Sequence, residues 1–184
     1  MQNKKILFAT MPFEGHFNPL TGLAVYLQSL GYEVAWYAGG TYTDKLRKLG
    51  IRHYPYQRAR EINQHTLEEE FSERKRIKGA IARLRFDLCN VFIEPAPDFV
   101  EDLKEIRRDW AFDTMIYDMA FTAGPFIKQL FNIPVVAVGV VPYAKTSKGL
   151  PPSGMGLEPS DNFFVKKMHS LLCYLTTQVL LKPC

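Results

Sequence analysis

Short apolar runs alternate with segments of helical periodicity along the first 56 residues. The runs at 5–10, 33–38 and 51–56 predict strands, and the segments at 19–30 and 41–49 predict helices. The joints between them are short and marked by glycine. A β-α-β-α-β order with short joints implies parallel strands and right-handed crossovers. The pattern therefore predicts an α/β fold with a doubly wound parallel sheet in three layers.

The first predicted helix carries signals for both of its ends. Its apolar positions follow the i, i+3, i+4, i+7 spacing of an amphipathic helix, and they are Leu20, Leu23, Ala24, Leu27 and Leu30. Asn18 is a suitable N-cap, and Pro19 suits the first helical position, where no N–H is needed. Gly31 is typical of the residue that follows a helix. This interpretation leaves His16 in a loop just before the helix.

The rest of the chain repeats the alternation less regularly. Residues 57–73 are polar without a clear period, which predicts a mobile surface excursion. Next, the pattern predicts helices at 76–93 and 98–110, a strand at 114–117, a helix at 120–131, a strand at 135–141 and a helix at 163–181. The strand at 135–141 is nearly all apolar, as expected of a parallel strand covered on both faces. The last helix is expected to bury Phe164, Met168, Leu171, Leu172 and Leu175.

Composition excludes several classes of function. The 184 residues suit one domain, and the net charge of +4 is mild. Eight of the 23 basic residues lie in 58–85 among glutamates, which is typical of a solvated helix face, so no nucleic-acid partner is expected. The three cysteines have neither metal-ligand nor CxxC spacing. No apolar stretch is long enough to span a bilayer, and the expected location is the cytoplasm.

Two polar side chains follow predicted strands at matching places. His16 comes after the first strand, and Asp118 ends the strand at 114–117. The carboxyl ends of parallel strands lie along one edge of a sheet, so the two side chains could meet there. A carboxylate on one imidazole nitrogen fixes the tautomer and leaves the other nitrogen free to accept a proton. A helix N-terminus disfavours the imidazolium while Asp118 favours it, which suits a general base.

Spacing alone leaves a second interpretation open, namely a loop histidine and a helix-capping aspartate that never touch. The remaining histidines, His53, His65 and His169, fit structural or solvated positions better. Neither GxGxxG nor GxxxxGK[ST] occurs, so the common dinucleotide and P-loop signatures are missing. A flavodoxin-like domain would need a phosphate-binding Ser/Thr/Gly loop after the first strand, and MPFEGHF does not provide one.

Two stretches in the right order resemble the N-terminal domain of family 1, GT-B type glycosyltransferases, particularly the bacterial macrolide and natural-product branch. The first is ILFATMPFEGHFNPLTGLAVYLQSLGYEVAWYAG, with the Gly-His-x-x-Pro motif at Gly15, His16 and Pro19. The second is MIYDMAFTAGPFIKQLFNIPVVAVGVVP, which places Asp118 at the position of the family's partner acid. The resemblance implies a Rossmann-like domain, the N-terminal half of a GT-B fold, with His16 and Asp118 as a catalytic dyad.

The same resemblance implies a reaction and its partners. His16 would take the proton from a hydroxyl of a lipophilic small-molecule acceptor, which attacks the anomeric carbon of a UDP- or dTDP-sugar with inversion. Asp118 would stabilise the imidazolium as the diphosphate leaves. The nucleotide sugar is a co-substrate, and neither a cofactor nor a metal is expected. Residues expected to line the acceptor pocket, all of which could equally be core, are Met11, Phe13, Phe17, Phe121, Pro142 and Tyr143.

The resemblance covers one of the two domains of such enzymes. The second domain carries most of the nucleotide-sugar site, and nothing in residues 1–184 resembles it. We therefore expect a truncated homologue, inactive alone unless a further domain or partner chain supplies the donor site. The alternative hypothesis is a non-catalytic acceptor-binding subunit that acts only with a partner. In either case apolar surface at the last helix and the cleft edge would be uncovered and favour self-association.

Overall fold

The computed structural model describes residues 4–63, 65–140, 150–152 and 156–180. Five parallel strands form one sheet in the order β3-β2-β1-β4-β5. They are β1 (Lys5–Ala9), β2 (Glu33–Ala38), β3 (Arg52–Pro55), β4 (Thr114–Asp118) and β5 (Val135–Val138). All of the pairings between neighbours are parallel and in continuous register. The α/β doubly wound fold predicted from the sequence is confirmed.

Seven α-helices connect and flank the described strands. They are α1 (Glu14–Ser29), α2 (Thr43–Lys48), α3 (Leu67–Glu70), α4 (Ala80–Asp87), α5 (Ala96–Asp109), α6 (Gly124–Phe131) and α7 (Phe163–Leu180). A π-helical segment (Leu88–Ile93) joins α4 to α5. Gly31 follows Leu30, the C-cap residue of α1, and its φ of 89° is as predicted for a residue that ends a helix. Asn132, directly after α6, also has a positive φ, of 50°.

The two faces of the sheet bury two different clusters because alternate residues of a strand point to opposite sides. On one face Ile6 and Phe8 pack with Phe17, Leu20 and other residues of α1 and α2. On the opposite face lie Leu7 and Ala9 of β1 with Phe99, Leu103 and Ile106 of α5. Together these layers form the helix–sheet–helix arrangement expected of a Rossmann-like fold.

The predicted start of the first helix is wrong. α1 begins at Glu14 and Pro19 lies inside it, while the side chain of Asn18 accepts from Lys45 Nζ instead of capping. A proline within the second turn removes a single N–H, which would otherwise pair with the carbonyl of Gly15. The N–H groups of His16 and Phe17 already bond to the carbonyl of Phe13 at 2.9 and 3.0 Å. His16 therefore lies in the first turn of α1, not in a loop.

The prediction for the segment after β3 is also wrong in part. It contains α3 and a 3₁₀ helix (Ser72–Arg76), and Ala59, Ile62 and Phe71 are buried. Its apolar side chains are too few to show a period, yet Ile62 and Phe71 pack with Val91 and Phe92 of the π-helical segment. The excursion predicted as surface is thus partly core.

Two predictions of burial are wrong. Within β5, an edge strand of the described sheet, Val136 and Ala137 are exposed, so this strand is not covered on both faces. α7 exposes most of the residues that its period predicts to be inside, namely Phe164, Met168, Leu171 and Leu175. This exposure agrees with the separate expectation of uncovered apolar surface at the last helix. Hydrophobic periodicity shows which face of a helix is apolar but cannot show that something covers it.

No helix in the described part of the chain combines the length and apolarity needed to cross a membrane. The same residues contain no group of three or more His, Cys, Asp or Glu side chains suited to a metal ion.

Candidate functional site

The strand order reverses between β1 and β4, and this reversal positions the candidate site. From β1 the chain first moves outward to β2 and β3, then returns to β4 on the other side of β1. In open α/β sheets such a switch point opens a crevice at the carboxyl ends of the two strands. Asp118 is the last residue of β4, and His16 lies in the helix that follows β1. The topology therefore brings two residues 102 positions apart to the same crevice.

Asp118 is completely buried and three donors hold its carboxylate. His16 Nδ1 lies 2.7 Å from Oδ1. The Met11 N–H donates to Oδ2 at 2.7 Å, and the Ala120 N–H donates to Oδ1 at 2.9 Å. Both oxygens of a buried carboxylate need such partners, since leaving them unpaired would be costly. The two backbone donors fix the carboxylate in one orientation, toward the imidazole.

The contact with Asp118 assigns roles to the two ring nitrogens of His16. A carboxylate only accepts, so Nδ1 carries a proton, and in the neutral imidazole Nε2 is then the acceptor. The side chain of His16 is 15% exposed, against 0% for Asp118. An imidazole at the rim of the crevice, backed by a buried carboxylate, has the geometry of a general base. The interpretation in which the two side chains never touch is excluded.

Two phenylalanines flank the imidazole. The ring centroids of Phe13 and Phe92 each lie 6.0 Å from that of His16 and 5.9 Å from each other. Phe92 belongs to the π-helical segment, and its carbonyl accepts from the Thr122 hydroxyl after β4. Sequence reasoning missed Phe92 because it read residues 76–93 as a regular core helix. π-helical turns are frequent at functional sites, and a change of helical register is invisible to periodicity.

Three other residues expected to line an acceptor pocket have side chains buried in the core, namely Met11, Phe17 and Phe121. Phe17 is fully buried and stacks on Tyr42 and Trp36, with ring centroids 4.0 and 4.4 Å apart. Phe121 is fully buried among the aromatic rings of the opposite face, and Met11 is 1% exposed. Among these residues Phe13 alone is partly exposed beside His16. Pro142 and Tyr143 lie outside the described residues.

The remaining histidines occupy positions unlike that of His16. His53 Nε2 donates to the carbonyl of Ala38 at 3.0 Å, and its Nδ1 lies 3.1 Å from the Thr43 hydroxyl. Burial lowers the pKa of His53, which opposes protonation. His65 is exposed and His169 is buried on α7. Their surroundings agree with the structural or solvated positions predicted for them.

Comparison with known proteins shows what the chain is similar to, including two proteins named as UDP-glucosyltransferases. It is 32% identical over 178 residues to 4'-demethylrebeccamycin synthase from Lentzea aerocolonigenes, covering 97% of this chain and 42% of that protein. It is 26% identical over 129 residues to the uncharacterised UDP-glucosyltransferase YojK of Bacillus subtilis strain 168, covering 70% of this chain and 30% of that protein. No family model matches the chain.

A solved structure shares the fold of this chain. The calicheamicin glycosyltransferase CalG4 superposes with a TM-score of 0.59 at 20% identity, over 97% of this chain and 43% of that protein. The chain thus spans less than half the length of each of these three relatives.

Proposed function

We propose a function from the premise that this chain is a partial homologue of the GT-B glycosyltransferases, the family that its motifs predicted and the comparisons confirm. The chain would form the acceptor side of an inverting glycosyltransferase. One observation carries the proposal: the 2.7 Å contact between His16 Nδ1 and the buried Asp118 carboxylate, at the crevice between β1 and β4.

In the proposed reaction His16 Nε2 removes the proton of an acceptor hydroxyl. The oxygen forms a bond to the anomeric carbon of the sugar while the bond from that carbon to the diphosphate oxygen breaks. The nucleoside diphosphate leaves with the bonding electrons, and the configuration at the anomeric carbon inverts. The buried carboxylate of Asp118 stabilises the imidazolium that results. This displacement uses the nucleotide sugar as co-substrate and needs no resident cofactor.

We propose a lipophilic, hydroxylated small molecule as the acceptor. The rings of Phe13 and Phe92 form an apolar wall beside the imidazole, which suits a flat or aromatic acceptor whose hydroxyl reaches Nε2. For the donor we propose a UDP- or dTDP-sugar, since YojK is named a UDP-glucosyltransferase. Its binding site would come from the part of the enzyme that this chain does not span, or from a partner chain, so transfer by the isolated chain would be slight.

A chimera tests the proposal. The chain is joined to the part of 4'-demethylrebeccamycin synthase that its similarity does not cover, and release of UDP from UDP-glucose is measured with a panel of hydroxylated aromatic acceptors. We expect acceptor-dependent release, and we expect His16→Ala to lower it by about 10²- to 10⁴-fold, the usual contribution of a general base.

His65→Ala is the matched control because it removes an exposed histidine, and it should leave the rate within about twofold. Undiminished transfer by His16→Ala would show that His16 is not the base. Acceptor binding without transfer in every chimera would instead favour the non-catalytic subunit.

A further inference from the structure

One peptide group lies between a buried tyrosine and the carboxylate of Asp118. The carbonyl of Thr10 accepts from the Tyr56 hydroxyl at 2.5 Å. The N–H of the same peptide, that of Met11, donates to Asp118 Oδ2 at 2.7 Å. Hydrogen bonds therefore run without a break from Tyr56 through this peptide and Asp118 to His16 Nδ1.

The Tyr56 ring is held firmly in place directly after β3. It is 9% exposed and packs on Tyr37 and Phe99, with ring centroids 4.8 and 5.3 Å apart. Burial raises the pKa of the Tyr56 hydroxyl well above its usual range, and the negative charge of Asp118 raises it further. The hydroxyl therefore keeps its proton and remains a donor to the peptide.

Residues of β2 also hold Thr10, whose carbonyl accepts from Tyr56. Trp36 Nε1 donates to the Thr10 hydroxyl at 3.0 Å, and the Thr10 N–H donates to the backbone carbonyl of Tyr37 at 3.3 Å. These contacts hold residue 10 against the sheet. The hydrogen bond from the Tyr56 hydroxyl acts instead on the peptide group between residues 10 and 11. This peptide group lies beyond the end of β1, where the chain leaves the sheet toward α1.

We propose that Tyr56 is a positioning residue that acts on His16 through the Thr10–Met11 peptide and Asp118. A carbonyl that accepts a hydrogen bond polarises its own peptide, which makes the N–H a stronger donor, by about 10–30% per bond. The stronger Met11 N–H holds Oδ2, so that Oδ1 faces His16 Nδ1 and keeps the proton on that nitrogen. The catalytic value of this arrangement rests on the proposed function, whereas the arrangement itself can be measured without it.

The test is the tautomer of His16 in Tyr56→Phe, read from imidazole ¹⁵N chemical shifts of the full chain at a pH where the ring is neutral. In the wild type the Nδ1–H tautomer should dominate. In Tyr56→Phe we expect the share of the Nε2–H tautomer to rise about two- to fivefold. The Met11 amide proton should shift upfield, because its hydrogen bond to Asp118 weakens.

Tyr37→Phe is the matched control. It removes a phenolic hydroxyl from the same aromatic cluster, but that hydroxyl donates to Asp102. Neither the tautomer nor the Met11 shift should change. An unchanged tautomer ratio and Met11 shift in Tyr56→Phe would overturn the proposal, and so would equal changes in both variants, because these would indicate a general loosening of the core.

Should Tyr56→Phe fail to fold, 3-fluorotyrosine at position 56 retains the hydroxyl and makes it a stronger donor. The Met11 amide proton should then move downfield, and no movement would reject the proposal. Failure of the glycosyltransferase proposal gives a different result. A tautomer that responds to Tyr56 in a chain whose chimera transfers no sugar would refute the function and leave the positioning intact.

Discussion

In the described part of the chain two aspartates are buried, and backbone N–H groups anchor both, but their side-chain partners differ. Asp118 accepts hydrogen bonds from two backbone N–H groups and contacts the imidazole of His16. Asp102 of α5 is 1% exposed and accepts from the Tyr37 hydroxyl at 2.7 Å. It also accepts from three successive N–H groups after β3, those of Gln57, Arg58 and Ala59.

The difference lies in what each partner can do with a proton near neutral pH. Imidazole as a side chain can gain and lose one in this range, which is why the acid–base chemistry is proposed for the Asp118 site. Burial raises the pKa of Tyr37 well above its usual range, and neighbouring Tyr56 and Asp102 raise it further, so its phenol stays neutral. Asp102 therefore ties the segment after β3 to α5. Anchoring a buried carboxylate does not by itself make a catalytic site, because the chemistry comes from its partner.

Replacing each carboxylate with an amide should show the difference between the two sites most clearly in the rate of sugar transfer. In the chimera described above, Asp118→Asn should lower sugar transfer by about 10²-fold or more, because an amide does not stabilise the imidazolium. Asp102→Asn should change the rate by less than about fivefold, measured below its unfolding temperature. Comparable losses in both variants would mean that the two carboxylates do not differ in their effect on catalysis.

The loss of free energy of unfolding should rank in the opposite order, with the larger loss in Asp102→Asn. Asp102→Asn should lower the free energy of unfolding by about 2–4 kcal/mol, because one amide oxygen cannot serve four donors and the amide NH₂ opposes backbone N–H groups. Asp118→Asn should cost less, since His16 can change tautomer and accept from the new NH₂. Urea unfolding followed by circular dichroism measures both, and a larger loss for Asp118→Asn would contradict the ranking.

Alkaline pH should lower the free energy of unfolding through the buried tyrosines. We expect this effect to be smaller than the two above. The pKa values of Tyr37 and Tyr56 are raised well above 10.0 in the folded chain, whereas unfolding returns them to about 10. Burial, with Glu14 and Glu61, raises the pKa of Tyr42 to about 12. Above pH 10 the unfolded chain loses phenolic protons that the folded chain retains, so stability falls as pH rises.

Each of these tyrosines contributes a slope of up to about 1.4 kcal/mol per pH unit. Urea unfolding between pH 9 and 12 measures the total slope, and Tyr37→Phe should reduce it by one such contribution. A slope that is the same in Tyr37→Phe as in the wild type would show that this phenol is not buried in the way described.

Much of the fold could be predicted from local patterns. The strands and the glycine after α1 follow from residues adjacent in sequence, because period, turn chemistry and φ preference act over a few positions. The start of α1 at Glu14 could not be predicted, since Pro19 is an excellent first residue and only the surrounding structure shows that it is tolerated inside. The exposure of α7 depends on what packs against it, which no period in its own sequence records.

The sequence by itself determined that two residues able to form a general-base pair follow the first and fourth strands. Whether they meet depends on the order of strands in the sheet. The tertiary structure decided this by placing β4 beside β1, which brings His16 within 2.7 Å of Asp118. It also decided that Phe92 stands beside the imidazole and that a peptide joins Tyr56 to Asp118. These contacts join residues 46 to 107 positions apart, and a local pattern cannot specify them because it holds no information about which distant segments pack together.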